Sequence, residues 1–168
     1  MHPREQPDRA DPAHGGAPQT PAKSAFPTGD AEGSPRTPLR VALALHTGAA
    51  GVADHLDLFI GPDACADRDA RIARTYRLPL AAIEAGSLRA GTHDAVELEP
   101  HRAEYLALAS ARELSGGRGR VEPVFSARAI GEVAQDGFLL RLDGTAPPLR
   151  VRGARERAAH WTITVDRA

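Results

Sequence analysis

Residues 54–60 read DHLDLFI, a run in which every second residue from Leu56 onward is aliphatic. Side chains of a strand point to opposite faces with a period of two. The three aliphatic residues therefore share one face, while His55, Asp57 and Phe59 share the other. The pattern predicts a strand with one face on a core and the other face carrying an imidazole beside a carboxylate.

A second apolar run, LRVALALH at residues 39–46, ends in another histidine a short loop upstream. Two such runs separated by a loop are natural antiparallel neighbours. Pairing brings His46 to His55 and Asp57, and two imidazoles with one carboxylate are a ligand set that suits Mn, Zn or Fe. The spacing leaves two interpretations open, a metal site or a polar strand face in water.

Short alternating runs punctuated by turns continue to the end of the chain. DG pairs at residues 136–137 and 143–144 mark tight turns. One short helix is predicted near residues 102–109, just after Pro100. Strands at this spacing are typical of an antiparallel barrel or sandwich. We predict a mainly β fold, a compact antiparallel β-barrel with one or two short helices, whose further strands lie at residues 71–78, 95–99, 119–125, 127–133, 138–142, 149–152 and 161–165.

Composition divides the chain of 168 residues into two parts. Residues 1–38 contain no Leu, Ile or Val and hold eight of the 14 prolines, so they cannot bury enough apolar surface to offset their ordering entropy. We predict a disordered Pro/Gly-rich tail over residues 1–38 and a barrel domain over residues 39–168.

The single cysteine, Cys65, cannot form an internal disulfide, and no apolar run is long enough to span a membrane, so we expect a cytoplasmic protein.

Two further features bear on chemistry. His101 and Tyr105 are four residues apart, which places them on one face of the predicted helix; a helix-start histidine beside a core aromatic is the alternative. Residues 115–120, SGGRGR, offer backbone amides and Arg118 to a phosphate but lack the P-loop pattern, and a plain hairpin loop is the alternative. The net charge of −1 argues against a broad basic footprint for nucleic acid.

Taken in order, these pieces resemble the 3′-phosphoesterase domain of bacterial and archaeal DNA ligase D. The order and spacing of the motifs carry the resemblance, which covers residues 39–128 and points to a divergent, stand-alone relative. The motifs are His46, then HLD at residues 55–57, RTYRLP at 74–79, EPHRAEY at 99–105 and GGRGRV at 116–121.

The resemblance implies a compact β-barrel enzyme that trims ribonucleotides and phosphates from DNA 3′ ends during end-joining repair. It implies a divalent metal cofactor, manganese in the family with zinc as the alternative, bound here by His46, His55 and Asp57. It further implies that His101 and Tyr105 act at the phosphate. The implied partners are DNA or RNA 3′ ends and DNA-repair proteins, and no membrane.

One departure from the family bears on activity. The family has an arginine two residues after the metal-binding aspartate, where this chain has Phe59. An apolar aromatic cannot replace a bidentate cationic donor, so either another arginine binds the phosphate or the phosphate chemistry is lost. We assign the compensating role to Arg77, Arg89 or Arg118.

Three classes of function follow. The first is a metal-dependent phosphoesterase-like protein that acts on nucleic-acid 3′ ends. The second is a catalytically impaired family member that serves as a metal- or nucleic-acid-binding accessory module. The third is an unrelated cupin-type metal-binding barrel that acts on a small molecule, and it needs one more ligand, such as His93 or His160.

Overall fold

Residues 38–167 are the part of the chain that this computed structural model describes, so all but one residue of the predicted tail lie outside it. The described part forms eleven strands and two short 3-10 helices. The first helix is Leu80–Ala82 and the second is Ala103–Ala107. The strands are β1 (Leu39–Thr47), β2 (His55–Pro62), β3 (Arg71–Leu78), β4 (Ile83–Glu84), β5 (Ser87–Leu88), β6 (Gly91–Arg102), β7 (Arg112–Glu113), β8 (Arg120–Val133), β9 (Gly137–Asp143), β10 (Leu149–Arg157) and β11 (His160–Arg167).

Eight of these strands close into an antiparallel barrel. Their order around the wall is β1-β2-β3-β6-β11-β10-β9-β8, and β8 pairs with β1 to complete the circle. β7 pairs with the start of β8, and β4 and β5 form a separate two-stranded hairpin. The predicted fold class, a mainly β antiparallel barrel with one or two short helices, is confirmed.

The helix predicted near residues 102–109 is a short 3-10 helix. It spans only Ala103–Ala107, because β6 stays paired with β3 as far as Arg102. His101 therefore lies on the strand and not on the helix. Within residues 38–167, no helix is long and apolar enough to cross a membrane.

The barrel interior is the main hydrophobic core. β2 contributes Leu56, Leu58 and Ile60, each at most 2% exposed, as the alternation of residues 54–60 predicts. They pack with buried side chains from every strand of the barrel wall. The side chains of β2 that point the other way are therefore on the outer face of the barrel.

A second, smaller core lies on this outer face. Phe59 is fully buried there, although it points away from the barrel interior. It packs with Ala42 and Ala44 of β1, with Ala73 of β3 and with Leu106 of the second 3-10 helix. This helix therefore covers the outside of the wall formed by β1, β2 and β3, and the candidate site lies beside it.

We expect Leu58→Ala to lower the free energy of unfolding by about 2–5 kcal/mol. Leu58 is fully buried in the barrel interior, and the truncation removes packing atoms and leaves a cavity. Urea unfolding of the two proteins measures the difference. Leu139→Ala is the matched control, since Leu139 is 42% exposed on β9 and should cost about 0.5 kcal/mol or less. Equal losses in the two variants would contradict the burial of Leu58.

Candidate metal centre

Two neighbouring strands bring three ligand side chains together. β1 and β2 pair antiparallel, as predicted, with His46 directly opposite His55. Asp57 lies two residues further along β2, on the same outer face as His55. One ligand atom from each of these residues lies within 4.8 Å of the other two. Among residues 38–167 this is the one group of three or more His, Cys, Asp or Glu with such geometry.

Backbone carbonyls set the tautomers of both imidazoles. Nε2 of His46 lies 2.6 Å from the carbonyl oxygen of Arg118, and Nδ1 of His55 lies 2.7 Å from the carbonyl oxygen of Ala53. A carbonyl oxygen only accepts, so each of these nitrogens carries a hydrogen and donates it. In the neutral rings, the lone pairs are therefore on Nδ1 of His46 and Nε2 of His55.

Both lone pairs face the carboxylate of Asp57. Nδ1 of His46 is 3.2 Å from Oδ2, and Nε2 of His55 is 3.5 Å from Oδ1. Nε2 of His55 and Oδ1 of Asp57 are buried without a hydrogen-bond partner among the described residues. A buried acceptor without a donor costs about 1–3 kcal/mol. Acceptors that face one another in this way indicate a site for a shared cation or proton.

The spacing of these atoms fits a divalent metal ion. Such ions bind nitrogen and oxygen ligands at about 2.0–2.2 Å, and tetrahedral or octahedral angles then set neighbouring ligand atoms about 2.8–3.6 Å apart. The separations of 3.2 Å to Oδ2 and 3.5 Å to Oδ1 of Asp57 fall in this range, and the ligand atoms of the three residues lie within 4.8 Å of one another. A carbonyl bond to the outer ring nitrogen is also the second contact that metal-bound histidines usually make. His46, His55 and Asp57 therefore form a candidate metal-binding cluster, as the sequence predicts.

The carboxylate of Asp57 also controls protons at this cluster. A hydrogen bond that the protonated ring of His55 donates to this carboxylate, together with the carboxylate charge, raises the pKa of His55 against the opposing effect of burial. Burial pushes the pKa of Asp57 upward, but interactions with His55 and His46 outweigh it and hold that pKa below its ordinary value. Below its raised pKa, His55 holds a proton that a metal ion must displace. Metal affinity therefore falls as the pH falls through that pKa.

A cavity of about 670 Å³ opens beside the cluster and is lined by both of its histidines. The lining includes five arginines against two glutamates, so the cavity attracts anions. Four further residues predicted from the sequence line it, namely Arg77, His101, Tyr105 and Arg118. Arg89 does not line it, because it precedes β6, whereas His101 lies near the other end of that strand.

Arg77 is the predicted arginine that lies next to the metal cluster. It pairs across strands with Asp57, so its side chain is on the same outer face. Its charge acts to lower the pKa of His55, but the carboxylate of Asp57 prevails and that pKa is raised. Its Nε is buried without a hydrogen-bond partner among the described residues. Arg77 therefore brings a guanidinium with unused donors to this cavity.

The glycine-rich segment is a hairpin turn that holds His46. It joins β7 to β8, and the carbonyl of Arg118 accepts the hydrogen bond from His46. The guanidinium of Arg118 bonds back to Ser115 at 2.9 and 3.1 Å. Gly119 has a φ of 78°, and a Cβ at this position would lie 2.1 Å from the carbonyl oxygen of Thr47. Glycine is therefore required for the turn to approach β1 this closely.

His101 and Tyr105 line the cavity from two different elements. His101 lies near the end of β6 and donates from Nδ1 to the carbonyl of Glu99 at 3.0 Å, whereas Tyr105 belongs to the second 3-10 helix. The prediction that they share one helix face is therefore wrong, yet their ring centroids lie 5.4 Å apart. Phe59 contacts both rings, with centroid distances of 5.3 Å to Tyr105 and 5.5 Å to His101.

One cavity residue, Arg112, is missed by the sequence analysis. It lies on β7, with its guanidinium carbon 4.6 Å from the ring centroid of Tyr105 and one terminal nitrogen 2.9 Å from Oε1 of Glu104. It lines the same cavity as the metal cluster. A strand of two residues carries no periodic signal, so only the tertiary structure places Arg112 here.

The two histidines considered as extra ligands of a cupin-type site lie outside the metal cluster. His93 is buried and its Nε2 bonds to the carbonyl of Arg89, while His160 is exposed on β11.

Comparison of the chain with protein-family models, with curated proteins and with solved structures finds no match. Support for a function therefore comes from the residues of this site and their geometry.

Proposed function

We propose that this chain is a divalent-metal-dependent, phosphoesterase-like hydrolase that acts on the 3′ ends of nucleic acids. The observation that carries the proposal is the convergence of His46, His55 and Asp57 at the wall of an arginine-lined cavity. A metal cluster beside concentrated positive charge suits the hydrolysis of a phosphate ester, in which negative charge develops on oxygen. The resemblance to the ligase D domain supports the choice of substrate.

His46, His55 and Asp57 are the residues that would hold the metal. A divalent ion bound there supplies a Lewis acid that polarises a phosphoryl oxygen. Two imidazole nitrogens with one carboxylate oxygen suit manganese or zinc, and the resemblance favours manganese.

Arg77 and His101 supply the remaining chemistry. Arg77 binds phosphate oxygens through its unused N–H donors. His101 uses its Nδ1 hydrogen on the carbonyl of Glu99, which leaves Nε2 to exchange a proton with the substrate. The protonated ring gives that proton to the ester oxygen as the P–O bond breaks and water adds to phosphorus. The products are a 3′-hydroxyl and inorganic phosphate.

The second candidate function is an accessory module that binds metal or nucleic acid without catalysis. Phe59 favours it, because a fully buried aromatic ring occupies the outer-face position next after Asp57 on β2. No cationic donor stands there, so charge stabilisation worth several kcal/mol depends on arginines from other elements. Turnover distinguishes the two functions.

With Mn²⁺ present, we expect slow phosphate release from a DNA strand that ends in a 3′-phosphate. His101→Ala should lower this rate by about a hundredfold or more, because the leaving oxygen loses its proton donor. Manganese affinity should stay unchanged, since His101 is not in the metal cluster. Phosphate release and calorimetric titration measure the two quantities, and His160→Ala is the control, an exposed histidine outside the site.

Three outcomes separate the candidate functions. A rate that survives in His101→Ala contradicts the role given to His101. A wild-type protein that binds manganese but releases no phosphate favours the accessory module. A wild-type protein that binds neither manganese nor zinc at neutral pH contradicts the metal centre itself.

A further inference from the structure

Arg112 is one of the five arginines of the cavity, and it lies on β7 rather than on the strands that carry the metal cluster. Among the described residues its hydrogen bonds engage one terminal nitrogen, which donates to Glu104, and its Nε is buried without a partner. The ring of Tyr105 lies under the guanidinium, with the guanidinium carbon 4.6 Å from its centroid. The ion pair and the stacking hold the guanidinium in place while most of its five donors stay unused.

Tyr105 is not available as a surface on which a base could stack. Phe59 stacks on this ring with an interplanar angle of 28°, and Arg112 also lies over it. Base stacking on an aromatic side chain needs an open ring face. Recognition in this cavity therefore depends on charge more than on the identity of a base.

Arg77 and Arg112 are the arginines of the cavity whose Nε is buried without a partner, and they come from different strands, β3 and β7. Arg77 lies beside the metal cluster, whereas Arg112 is anchored to the second 3-10 helix through Glu104 and Tyr105. The cavity, at about 670 Å³, has more room than one phosphate group occupies. A ligand with a single phosphate bound at Arg77 would leave the remaining N–H donors of Arg112 without an acceptor.

We infer that the ligand of this cavity carries two phosphate groups, one bound at the metal cluster with Arg77 and the other bound by Arg112. This inference rests on the proposed function, because the first phosphate is the one that is hydrolysed. On a nucleic-acid strand, the second phosphate is the diester on the 5′ side of the terminal nucleotide. Arg112 is then a specificity-determining residue that selects a strand end over a simple phosphate monoester.

Calorimetric titration of the manganese-bound protein with two probes tests this inference. Thymidine 3′-monophosphate carries the terminal phosphate alone, and the dinucleotide thymidylyl-thymidine 3′-phosphate adds the diester. We expect the dinucleotide to bind about tenfold more tightly or better, as one charge-assisted contact to phosphate predicts. Thymidine 3′,5′-bisphosphate is the third probe, and binding tighter than the dinucleotide would overturn the preference for a strand end.

Two arginine variants and a control locate the effect. Arg112→Met keeps an apolar side chain over Tyr105 but removes the charge, so it should abolish the advantage of the dinucleotide and leave monophosphate binding within about twofold. Arg77→Met should weaken both probes. Arg150→Met, at an exposed position of β10 outside the cavity, should change neither. Manganese affinity and thermal unfolding confirm that each variant is folded.

The outcomes distinguish this inference from the proposed function. If the manganese-bound wild type binds neither monophosphate nor dinucleotide, the proposed function fails. If it binds both probes equally, or if Arg112→Met weakens both equally, the second phosphate site fails while the first stands.

Discussion

Affinity for Mn²⁺ is expected to fall by about a hundredfold or more in Asp57→Asn, which removes the one anionic ligand of the cluster. Changes to residues that only support metal ligands already cost about 10–100-fold, and Asp57 faces both imidazoles directly. An amide oxygen carries no net charge to balance the cation. Calorimetric titration at neutral pH measures the loss.

The same variant should remain folded. Its side-chain amide can donate a hydrogen bond to one of the two imidazole lone pairs, so the metal-free protein should unfold at nearly the same temperature as the wild type. Asp94→Asn is the matched control, because Asp94 is exposed on β6 and lies outside the cluster. Unchanged manganese affinity in Asp57→Asn would rule out this metal centre.

The metal cluster could be predicted from the sequence because its geometry depends on local patterns. Period-two alternation puts His55 and Asp57 on one face of a strand, and a short loop makes residues 39–46 the antiparallel neighbour. Those two facts bring His46 to the strand that carries His55 and Asp57, and the register of the structure places His46 directly opposite His55. The strand series likewise predicts a barrel, since eight strands with tight turns leave few other ways to pair every edge.

The walls of the cavity could not be predicted, because they depend on contacts between distant parts of the chain. Residues 119–125 and 127–133 were predicted as two strands, but they form the single strand β8, whose register against β1 shifts between Leu43 and Ala44. β7 is too short for a periodic signal, so Arg112 goes unnoticed. The sequence offers both Arg89 and Arg118 as phosphate ligands, yet of these two only Arg118 lies on the cavity.

The burial of Phe59 could not be predicted from the alternation of residues 54–60. Alternation correctly assigns it to the face opposite the barrel interior, and an outward residue of a barrel strand is expected to meet solvent. Here the second 3-10 helix covers that face, so Phe59 is as buried as Leu58. The resemblance to the ligase D domain treats this position as a missing phosphate ligand, whereas the structure shows that its side chain packs a second core.

Phe59→Arg is therefore expected to lower the free energy of unfolding by about 3–5 kcal/mol, the range for a lost buried aromatic or an uncompensated buried charge. Phe59 packs on Ala42, Ala44, Ala73 and Leu106, which cannot pair with a guanidinium, and on the rings of Tyr105 and His101. Urea unfolding of the metal-free proteins measures the loss. As the control, Phe59→Leu keeps an apolar side chain and should cost much less.

The rate of phosphate release by Phe59→Arg has to be interpreted together with the stability of this variant. A new arginine beside the metal cluster restores a phosphate donor only if its guanidinium leaves the second core and reaches the cavity past Tyr105 and His101, the rings that now pack on Phe59. A Phe59→Arg protein as stable as the wild type and faster in phosphate release would contradict the packing described here. It would also show that the second core accepts a charged side chain with little loss in the free energy of unfolding. A destabilised protein with no gain in rate is the result that the contacts of Phe59 predict.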